Sequence, residues 1–155
     1  MKNRKSFFAV SAILIGLILT TATISSANSA VQWKSYEEGI AMAKAEKKNI
    51  FLYFHADWCG YCHQMDSTTF KDNGIQSYLN DNYITIRVDS DRETKVASNY
   101  GVRGLPTSWF LKSDSEKLSS MPGFVDAKRL LTILKYVNTE SYKKMSYRDF
   151  EKSLK

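Results

Sequence analysis

Residues 50–62 read Ile-Phe-Leu-Tyr-Phe-His-Ala-Asp-Trp-Cys-Gly-Tyr-Cys, an apolar run that leads directly into two cysteines. Up to His55 the run is bulky and apolar at both alternating sets of positions, which is typical of a central strand covered on both faces. Cys59 and Cys62 follow at once, and the residues after them predict a helix to about Phe70. The stretch therefore indicates a buried strand that ends in a Cys-Gly-Tyr-Cys turn at the start of a helix.

The placement of the two cysteines gives the pair its chemistry. Cysteines at positions i and i+3 in a first helical turn bring their Cα atoms within disulfide reach. Cys59 would lie beside free amides at the positive end of the helix dipole, which stabilise a thiolate, whereas Cys62 would be a turn deeper and shielded. We predict that Cys59 is the nucleophile and that Cys62 is the resolving thiol, which attacks a mixed disulfide formed at Cys59.

The cysteine motif has three other interpretations. A purely structural disulfide would add little stability, because closing a four-residue loop restricts the unfolded chain only slightly. A zinc site would use His55, Cys59, Cys62 and His63, but the neighbouring Cys62 and His63 point about 100° apart around a helix. With His63 the motif is also Cys-Gly-Tyr-Cys-His, the haem-attachment pattern of c-type cytochromes, which needs no buried strand before it.

The rest of the chain predicts an α/β layer design with both parallel and antiparallel strand pairs. Ser35 has capping-box spacing to Glu38, so its side chain is expected to accept a hydrogen bond from the amide three residues on. The strands are predicted over residues 50–56, 83–88, 107–111 and 117–121. Helices are predicted over 36–48, from the cysteines to 70, in a short segment to 79, over 92–100, and over 127–137 after Asp126 as cap.

Composition and charge narrow the class of protein. The chain has 155 residues and a formal charge of +6, with 43% hydrophobic residues, two prolines and two cysteines. These values exclude a disordered, collagen-like or disulfide-rich chain. Lys2, Arg4 and Lys5 precede an apolar run over residues 7–19, the pattern of a secretory signal. Without these three cations 19 basic residues face 16 acidic ones, a surplus of +3 that is too small to indicate a nucleic-acid partner.

Small residues at 25–27 predict cleavage after Ala27, with Ala30 as the alternative. Residues 1–27 would then be a signal peptide, residues 28–137 the folded domain and residues 138–155 a helical tail. An uncleaved membrane anchor is the alternative, because residues 7–24 reach the lower limit of a spanning helix. In either case we expect an exported protein, in the periplasm of a bacterial envelope, that contacts the membrane only if the segment is retained. The tail is expected to dock on its own domain, with a partner-binding helix as the alternative.

A second motif, Tyr-Gly-Val-Arg-Gly-Leu-Pro-Thr at residues 100–107, follows the cysteines in the chain. Together with residues 56–62 it resembles the thioredoxin superfamily, and the resemblance covers about residues 33–137. It implies a thioredoxin fold, with a central mixed β-sheet of about four strands flanked by helices. It also implies that Pro106 is cis beside the cysteines and that the backbone of Leu105 pairs with a substrate strand. The substrate-docking surface would include Trp58, Gly60 and Tyr61.

The first helix and residues 65–70 are similar to exported thioredoxin-like proteins related to the C-terminal domain of the DsbD electron carrier. This similarity implies a thiol–disulfide oxidoreductase, a reductase or electron relay, that acts on protein disulfides without a metal or organic cofactor. Its partners would be cysteine-containing envelope proteins and an upstream membrane thiol electron donor, and we expect a monomer. A disulfide isomerase or oxidase of the same fold is the alternative, and a c-type cytochrome is the alternative from another class.

The chain departs from the thioredoxin pattern at two positions. Tyr53 stands where the family has a buried acid that accepts the proton of the second cysteine. In this chain Asp57, His63 or water would have to accept the proton of Cys62. His55, at the end of the strand, is expected to pack rather than to act in catalysis. Tyr61 replaces a proline between the cysteines, and non-proline versions of the family tend to be less reducing. This second departure leaves the direction of net electron flow open.

Overall fold

The computed structural model describes residues 30–154, so the predicted signal segment lies outside the described residues. One sheet holds five strands, which are β1 (Trp33–Lys34), β2 (Asn49–His55), β3 (Tyr83–Asp89), β4 (Thr107–Leu111) and β5 (Lys117–Pro122). Their order in the sheet is β1-β3-β2-β4-β5. Strands β1, β3 and β2 are parallel, β4 is antiparallel to β2, and β5 is antiparallel to β4. The predicted mixed sheet is confirmed, with the short edge strand β1 as an addition.

Six helices and two 3₁₀ turns surround this sheet in the described part of the chain. The helices are α1 (Tyr36–Glu46), α2 (Gly60–Ser67), α3 (Asn73–Asn82), α4 (Thr94–Asn99), α5 (Ala127–Asn138) and α6 (Tyr147–Ser153). The 3₁₀ turns are Thr69–Lys71 and Ser141–Lys143. Asp126 caps α5 as predicted, because its side chain accepts a hydrogen bond from the amide of Arg129. Within residues 30–154 no helix is both long and apolar enough to cross a membrane.

Three local predictions are corrected by the structure. Ser35 precedes α1, but its side chain makes no capping hydrogen bond. The helix after the cysteines ends at Ser67 rather than Phe70, because the hydroxyls of Ser67 and Thr68 bond to carbonyls of the preceding turn. Helix α4 begins at Thr94 rather than at residue 92, because the amides of residues 92 and 93 both bond to the carbonyl of Asp89 in a tight turn.

Strand β2 is buried on both faces, as its sequence predicts. Phe51 and Tyr53 point to one face, where they join a core formed with α2, α3 and α5. Leu52 and Phe54 point to the other face, where they join a core formed with α1 and α4. All four side chains have no exposed surface. Because burial of each large apolar side chain contributes about 1.5–3 kcal/mol, β2 anchors both layers of the domain.

The chain beyond α5 folds back onto the domain. Phe150 in α6 is buried, and its ring lies 5.3 Å from that of Tyr136 in α5. The hydroxyl of Tyr136 donates a hydrogen bond to the carbonyl of Met145 (2.7 Å). Ser146 caps α6 by accepting a hydrogen bond from the amide of Asp149. The tail therefore packs against α5 in the described structure.

Helix α1 approaches the sheet closely at one residue. Gly39 is buried, and a Cβ atom placed on it would overlap the side chain of Ile86 in β3. We expect Gly39→Ala to lower the free energy of unfolding by about 1–3 kcal/mol, because a packed core does not accept an added methyl group without a shift. The same substitution in an unobstructed helix interior would raise stability by about 1 kcal/mol. Urea unfolding of the oxidised protein measures the difference.

Gly60→Ala is the matched control for this substitution. Gly60 is also helical, and no atom lies within 4 Å of a Cβ placed there. Its replacement is expected to leave stability unchanged or to raise it by up to about 1 kcal/mol. A Gly39→Ala variant as stable as Gly60→Ala would show that the contact between α1 and β3 is not tight.

Candidate active site

The cysteine pair lies where β2 ends and α2 begins. Residues 56–59 form a turn in which the amide of Cys59 donates to the carbonyl of Ala56 (3.1 Å). Cys59 is the N-cap of α2, and the amides of Cys62 and His63 both donate to its carbonyl. The sequence folds in this way because β2 is held rigidly on both faces and cannot continue beyond the sheet. The two cysteines are therefore fixed at one end of the domain.

Cys59 and Cys62 form a disulfide, with their Cα atoms 5.2 Å apart. The sulfur of Cys59 also accepts a hydrogen bond from the amide of Cys62 (3.2 Å). Only 3% of Cys59 and 1% of Cys62 are exposed. An amide that points at the sulfur of an N-cap cysteine stabilises the thiolate form after the disulfide is reduced. This arrangement favours Cys59 as the more nucleophilic of the two sulfurs.

Two large aromatic side chains flank the disulfide and face solvent. Trp58 is 70% exposed and Tyr61 is 63% exposed. The indole nitrogen of Trp58 donates a hydrogen bond to the carboxylate of Asp91 (2.8 Å) in the loop after β3. Sequence reasoning did not identify Asp91. The sequence feature that indicates Asp91 is its position just after a strand that is parallel to β2. The carboxyl ends of neighbouring parallel strands meet at one edge of the sheet, so residues that follow them lie close together.

A second link joins the same two loops. Arg92 forms an ion pair with Asp89 (3.1 Å) and lies 3.8 Å from the carboxylate of Asp57. Both Arg92 and Asp57 are largely exposed, so this link contributes little to stability. The ring nitrogen Nε2 of His63 lies 2.7 Å from the carbonyl oxygen of Asp57, to which it donates in the tautomer protonated there. Asp57 and His63 therefore contact each other at the rim of the site.

The second motif forms one wall of a groove beside the cysteines. The peptide bond between Leu105 and Pro106 is cis, and the Pro106 carbonyl accepts a hydrogen bond from the amide of Gly123 (2.7 Å). The groove has a volume of about 350 Å³ and is lined by Trp58, Leu105 and Arg103 together with residues of the loop after β3. The structure thus places Trp58 and Leu105 on one surface. Gly60 is exposed at the start of α2.

Tyr53 supplies no proton acceptor to this site. Its side chain is fully buried, and its hydroxyl has no hydrogen-bond partner among the described residues. Burial raises the pKa of Tyr53 far above its ordinary value, and the charge of Asp66 raises it further. A phenol in this environment stays protonated at neutral pH and cannot accept a proton from a thiol. The absence of the family's acid at this position is therefore not compensated by the hydroxyl that replaces it.

A half-buried ion pair lies beside Tyr53. Arg87 in β3 and Asp66 in α2 form two parallel hydrogen bonds of 2.8 and 2.7 Å. The guanidinium of Arg87 also lies 5.6 Å from the ring centroid of Tyr53 and 5.8 Å from that of Trp33. The pair ties α2 to the sheet one helical turn beyond Cys62. Sequence reasoning did not identify it, because two residues 21 positions apart carry no local signal of contact.

His55 packs against Tyr53. The two rings are stacked with an interplanar angle of 7° and centroids 6.1 Å apart. Burial and the nearby charge of Arg87 lower the pKa of His55, while Asp89, Asp66 and Asp57 raise it by smaller amounts. The four residues of the zinc alternative have different contacts. Cys59 and Cys62 form a disulfide with each other, His55 stacks on Tyr53, and His63 contacts the carbonyl of Asp57. Within residues 30–154 no three His, Cys, Asp or Glu side chains are grouped around a common point.

Comparison with known proteins assigns this geometry to a family. A sequence model described as a thioredoxin-like domain matches residues 36–138. The chain is 32% identical over 102 residues to the thiol:disulfide interchange protein DsbD of Photorhabdus laumondii. The aligned part is 63% of this chain but only 17% of that relative, so the chain corresponds to a small part of it. The family model covers the Cys-Gly-Tyr-Cys-His stretch, so this stretch belongs to a thioredoxin-like domain rather than to a c-type cytochrome.

Solved structures show the same fold. A thioredoxin from Thermus thermophilus superposes with a TM-score of 0.64 at 29% identity, over 70% of this chain and 88% of that protein. A DsbH oxidoreductase superposes with a TM-score of 0.59 over 68% of this chain and 83% of that one. At 21% identity this second likeness bears on the fold alone. The predicted thioredoxin fold is confirmed.

The environment of His55 predicts how stability depends on pH. Unfolded histidine titrates near pH 6.5, whereas the folded protein holds the pKa of His55 below that value. The unfolded state therefore binds more protons near pH 6, so folding stability falls as the pH drops through about 6.5 towards the folded pKa. We expect wild-type protein to lose more stability between pH 7.5 and 5.5 than His55→Gln does. Urea midpoints at both pH values measure the loss.

His63→Gln is the matched control, because it removes the other imidazole of the chain from an exposed position. If wild-type and His55→Gln proteins lose the same stability over this pH interval, then the neutral form of His55 is not favoured by the fold.

Proposed function

The chain belongs to the thioredoxin-like family of disulfide oxidoreductases, and on that premise we propose that it is an exported thiol–disulfide oxidoreductase that reduces protein disulfides. One observation carries the proposal. The Cys59–Cys62 disulfide closes the N-terminus of α2, and an amide points at the sulfur of Cys59. The similarity to part of a thiol:disulfide interchange protein supports the same chemistry.

The proposed reaction begins with the reduced protein. The Cys59 thiolate attacks one sulfur of a substrate disulfide, and the other substrate sulfur leaves as a thiolate that takes up a proton. Cys62 then loses its proton and attacks the sulfur of Cys59, which releases the second substrate thiol. Two electrons have passed to the substrate, and Cys59 and Cys62 are joined in a disulfide. A thiol donor must reduce this disulfide before the next cycle.

Substrate docking is assigned to the groove beside the cysteines. Trp58 and Leu105 line it, Tyr61 extends the exposed aromatic surface, and Pro106 lies directly after Leu105. An extended substrate segment would pair with the backbone of Leu105, as the family resemblance implies, and place its cysteine at Cys59. The partners on this proposal are cysteine-containing envelope proteins as substrates and a membrane thiol carrier as the electron donor.

The site of action is proposed to be the periplasm. The charged start and apolar run of residues 1–19 support export, and an exported compartment does not hold thiols reduced by a cytosolic pool. A soluble reductase in that compartment depends on electrons delivered across the membrane. The relation to a thiol:disulfide interchange protein supports such a supply.

Proton transfer at the resolving step is assigned to groups at the rim. The Tyr53 phenol remains protonated, which leaves the Asp57 carboxylate, the His63 imidazole and water as acceptors for the Cys62 proton. Asp57 and His63 lie on the surface and contact each other, so a proton taken by either passes readily to solvent.

Isomerase or oxidase activity is the second candidate, and Tyr61 is the observation that favours it. Tyr61 stands between the cysteines where the thioredoxins have proline, and the dipeptide at this position tunes the redox potential. A less reducing pair would rearrange or form disulfides instead of reducing them. The chemistry of the two cysteines is the same in both candidates, and only its direction differs.

Replacing Cys62 tests the assigned roles. We expect Cys62→Ser to accumulate mixed disulfides between Cys59 and its protein substrates, because nothing then resolves the first adduct. Non-reducing gels of exported protein would show these adducts, and a thiol reductant would release them. Cys59→Ser is the matched control and should form none. If Cys62→Ser forms no adducts while Cys59 reacts with a thiol label, then Cys62 is not the resolving residue.

The reduction potential of the Cys59–Cys62 pair decides whether electrons flow to or from protein substrates. We expect a value near that of thioredoxin, about −270 mV or below, which suits a reductase supplied by a membrane carrier. Thiol labelling of the exported protein in glutathione or dithiothreitol buffers measures it. A value of about −180 mV or above would replace the reductase by an isomerase or oxidase.

A further inference from the structure

The tail beyond α5 lies outside the region that matches the thioredoxin-like family, and it closes one side of a cleft. That match ends at residue 138, and the 3₁₀ turn 141–143 and helix α6 then fold back beside α5. Between this tail and the edge strand β5 lies a cavity of about 430 Å³, here called the tail cleft. Its walls include Leu118, Met121, Ile133, Tyr136, Tyr142 and Tyr147. The residues of the Cys59–Cys62 site do not line it.

The size and lining of the tail cleft suit a small ligand. Small-molecule sites in proteins have volumes of about 300–1,000 Å³ and are mostly apolar with a few polar groups. Apolar surface left in contact with water is unfavourable, so the aliphatic and aromatic walls favour a ligand with an apolar body. A flexible hydrocarbon chain can follow the irregular wall that β5 and the three tyrosines form.

The polar groups of the cleft indicate what kind of polar group its ligand carries. Arg129 is the charged side chain in its lining, and it forms no ion pair with any residue of the described chain. Asp126 and Glu151 line a neighbouring groove together with Arg129, but within residues 30–154 neither is paired with it. The hydroxyl of Tyr147 is buried and has no hydrogen-bond partner within residues 30–154. The cleft therefore offers one cation, Arg129, beside its apolar walls.

The segment that carries Arg129 has a surplus of basic residues. Residues 126–154, which make up α5 and the tail, contain seven Lys or Arg against four Asp or Glu. A positive surface attracts anions and raises their rate of association. A guanidinium binds a carboxylate through charge-assisted hydrogen bonds, and these are about twice as strong as neutral ones.

We propose that the tail cleft binds a fatty acid of medium chain length, with the hydrocarbon chain between β5, α5 and the tail and the carboxylate on Arg129. The site is independent of the cysteine chemistry. It would couple occupancy by a lipid to the packing of the tail on the domain.

Binding of decanoate to the exported full-length protein tests this proposal. Calorimetric titration below the micellar concentration should show saturable one-to-one binding. Arg129→Gln is expected to weaken binding about tenfold, because it removes the charge-assisted contact. The matched control is Lys128→Gln, which removes the neighbouring cation that does not line the cleft, and it should change affinity by less than about twofold. Decanol, which has the same chain without the charge, should bind wild-type protein about tenfold more weakly than decanoate.

A variant that fills the cleft provides the second test. Ser120 is an exposed residue of β5 in the lining, and Ser120→Trp should abolish decanoate binding while the melting temperature is maintained. Reduction of a model disulfide should be unchanged in Arg129→Gln and Ser120→Trp, so failure of this proposal leaves the proposed function intact.

Several results would overturn the proposal. Equal affinity for decanol and decanoate would exclude recognition of the carboxylate. Equal losses in Lys128→Gln and Arg129→Gln would show attraction to the basic surface alone. Binding of 2-naphthoate without decanoate would assign the cleft to an aromatic acid. Concentration-dependent self-association that Ser120→Trp prevents, without decanoate binding, would assign the cleft to a second copy of the chain.

Discussion

Burial of β2 on both faces is the constraint on which the rest of the structure depends. Its four central aromatic and aliphatic side chains have no exposed surface and divide evenly between two cores. A slip of one residue would exchange Phe51 and Tyr53 with Leu52 and Phe54, which differ in shape and pack in different cores, so close packing fixes the register of the strand. The turn that follows is therefore fixed in space, and Cys59 occupies the N-cap of α2 as a consequence. The packing of β2 therefore determines where the cysteines lie.

The parallel pairing of β2 and β3 completes the site. Both strands end at the same edge of the sheet, so the loop after β3 lies next to the turn that carries the cysteines. Asp91 uses this proximity to hold the indole of Trp58, which is otherwise exposed. If Trp58 is a docking residue, as proposed, its fixed orientation means that the side chain loses little conformational entropy when a substrate binds. Leu105 reaches the same groove from the antiparallel side of the sheet.

The sequence predicts those parts of the molecule whose signals are local. The double-faced apolar run predicts β2, and the spacing of the cysteines predicts their place at the start of α2. Asp126 is recognisable as a cap because its partner lies three residues away. Strand β1 is missed because two residues carry no periodicity, and its pairing with β3 depends on residues about 50 positions distant. The contact of Arg87 with Asp66 is missed for the same reason, since only the folded topology brings β3 beside α2.

Tyr53 occupies the position where the resemblance to thioredoxins implies a buried acid. The phenyl ring of Tyr53 packs among Trp33, Phe70 and His55, so the position has become part of an aromatic core. The charges nearest to it, Asp66 and Arg87, are engaged with each other in a bidentate pair. In the proposed reaction, the proton of Cys62 therefore has no acceptor in the phenol and passes to Asp57, His63 or water at the surface. Asp57 and His63 are open to water, so on this proposal the resolving step exchanges its proton with solvent instead of with the interior of the domain.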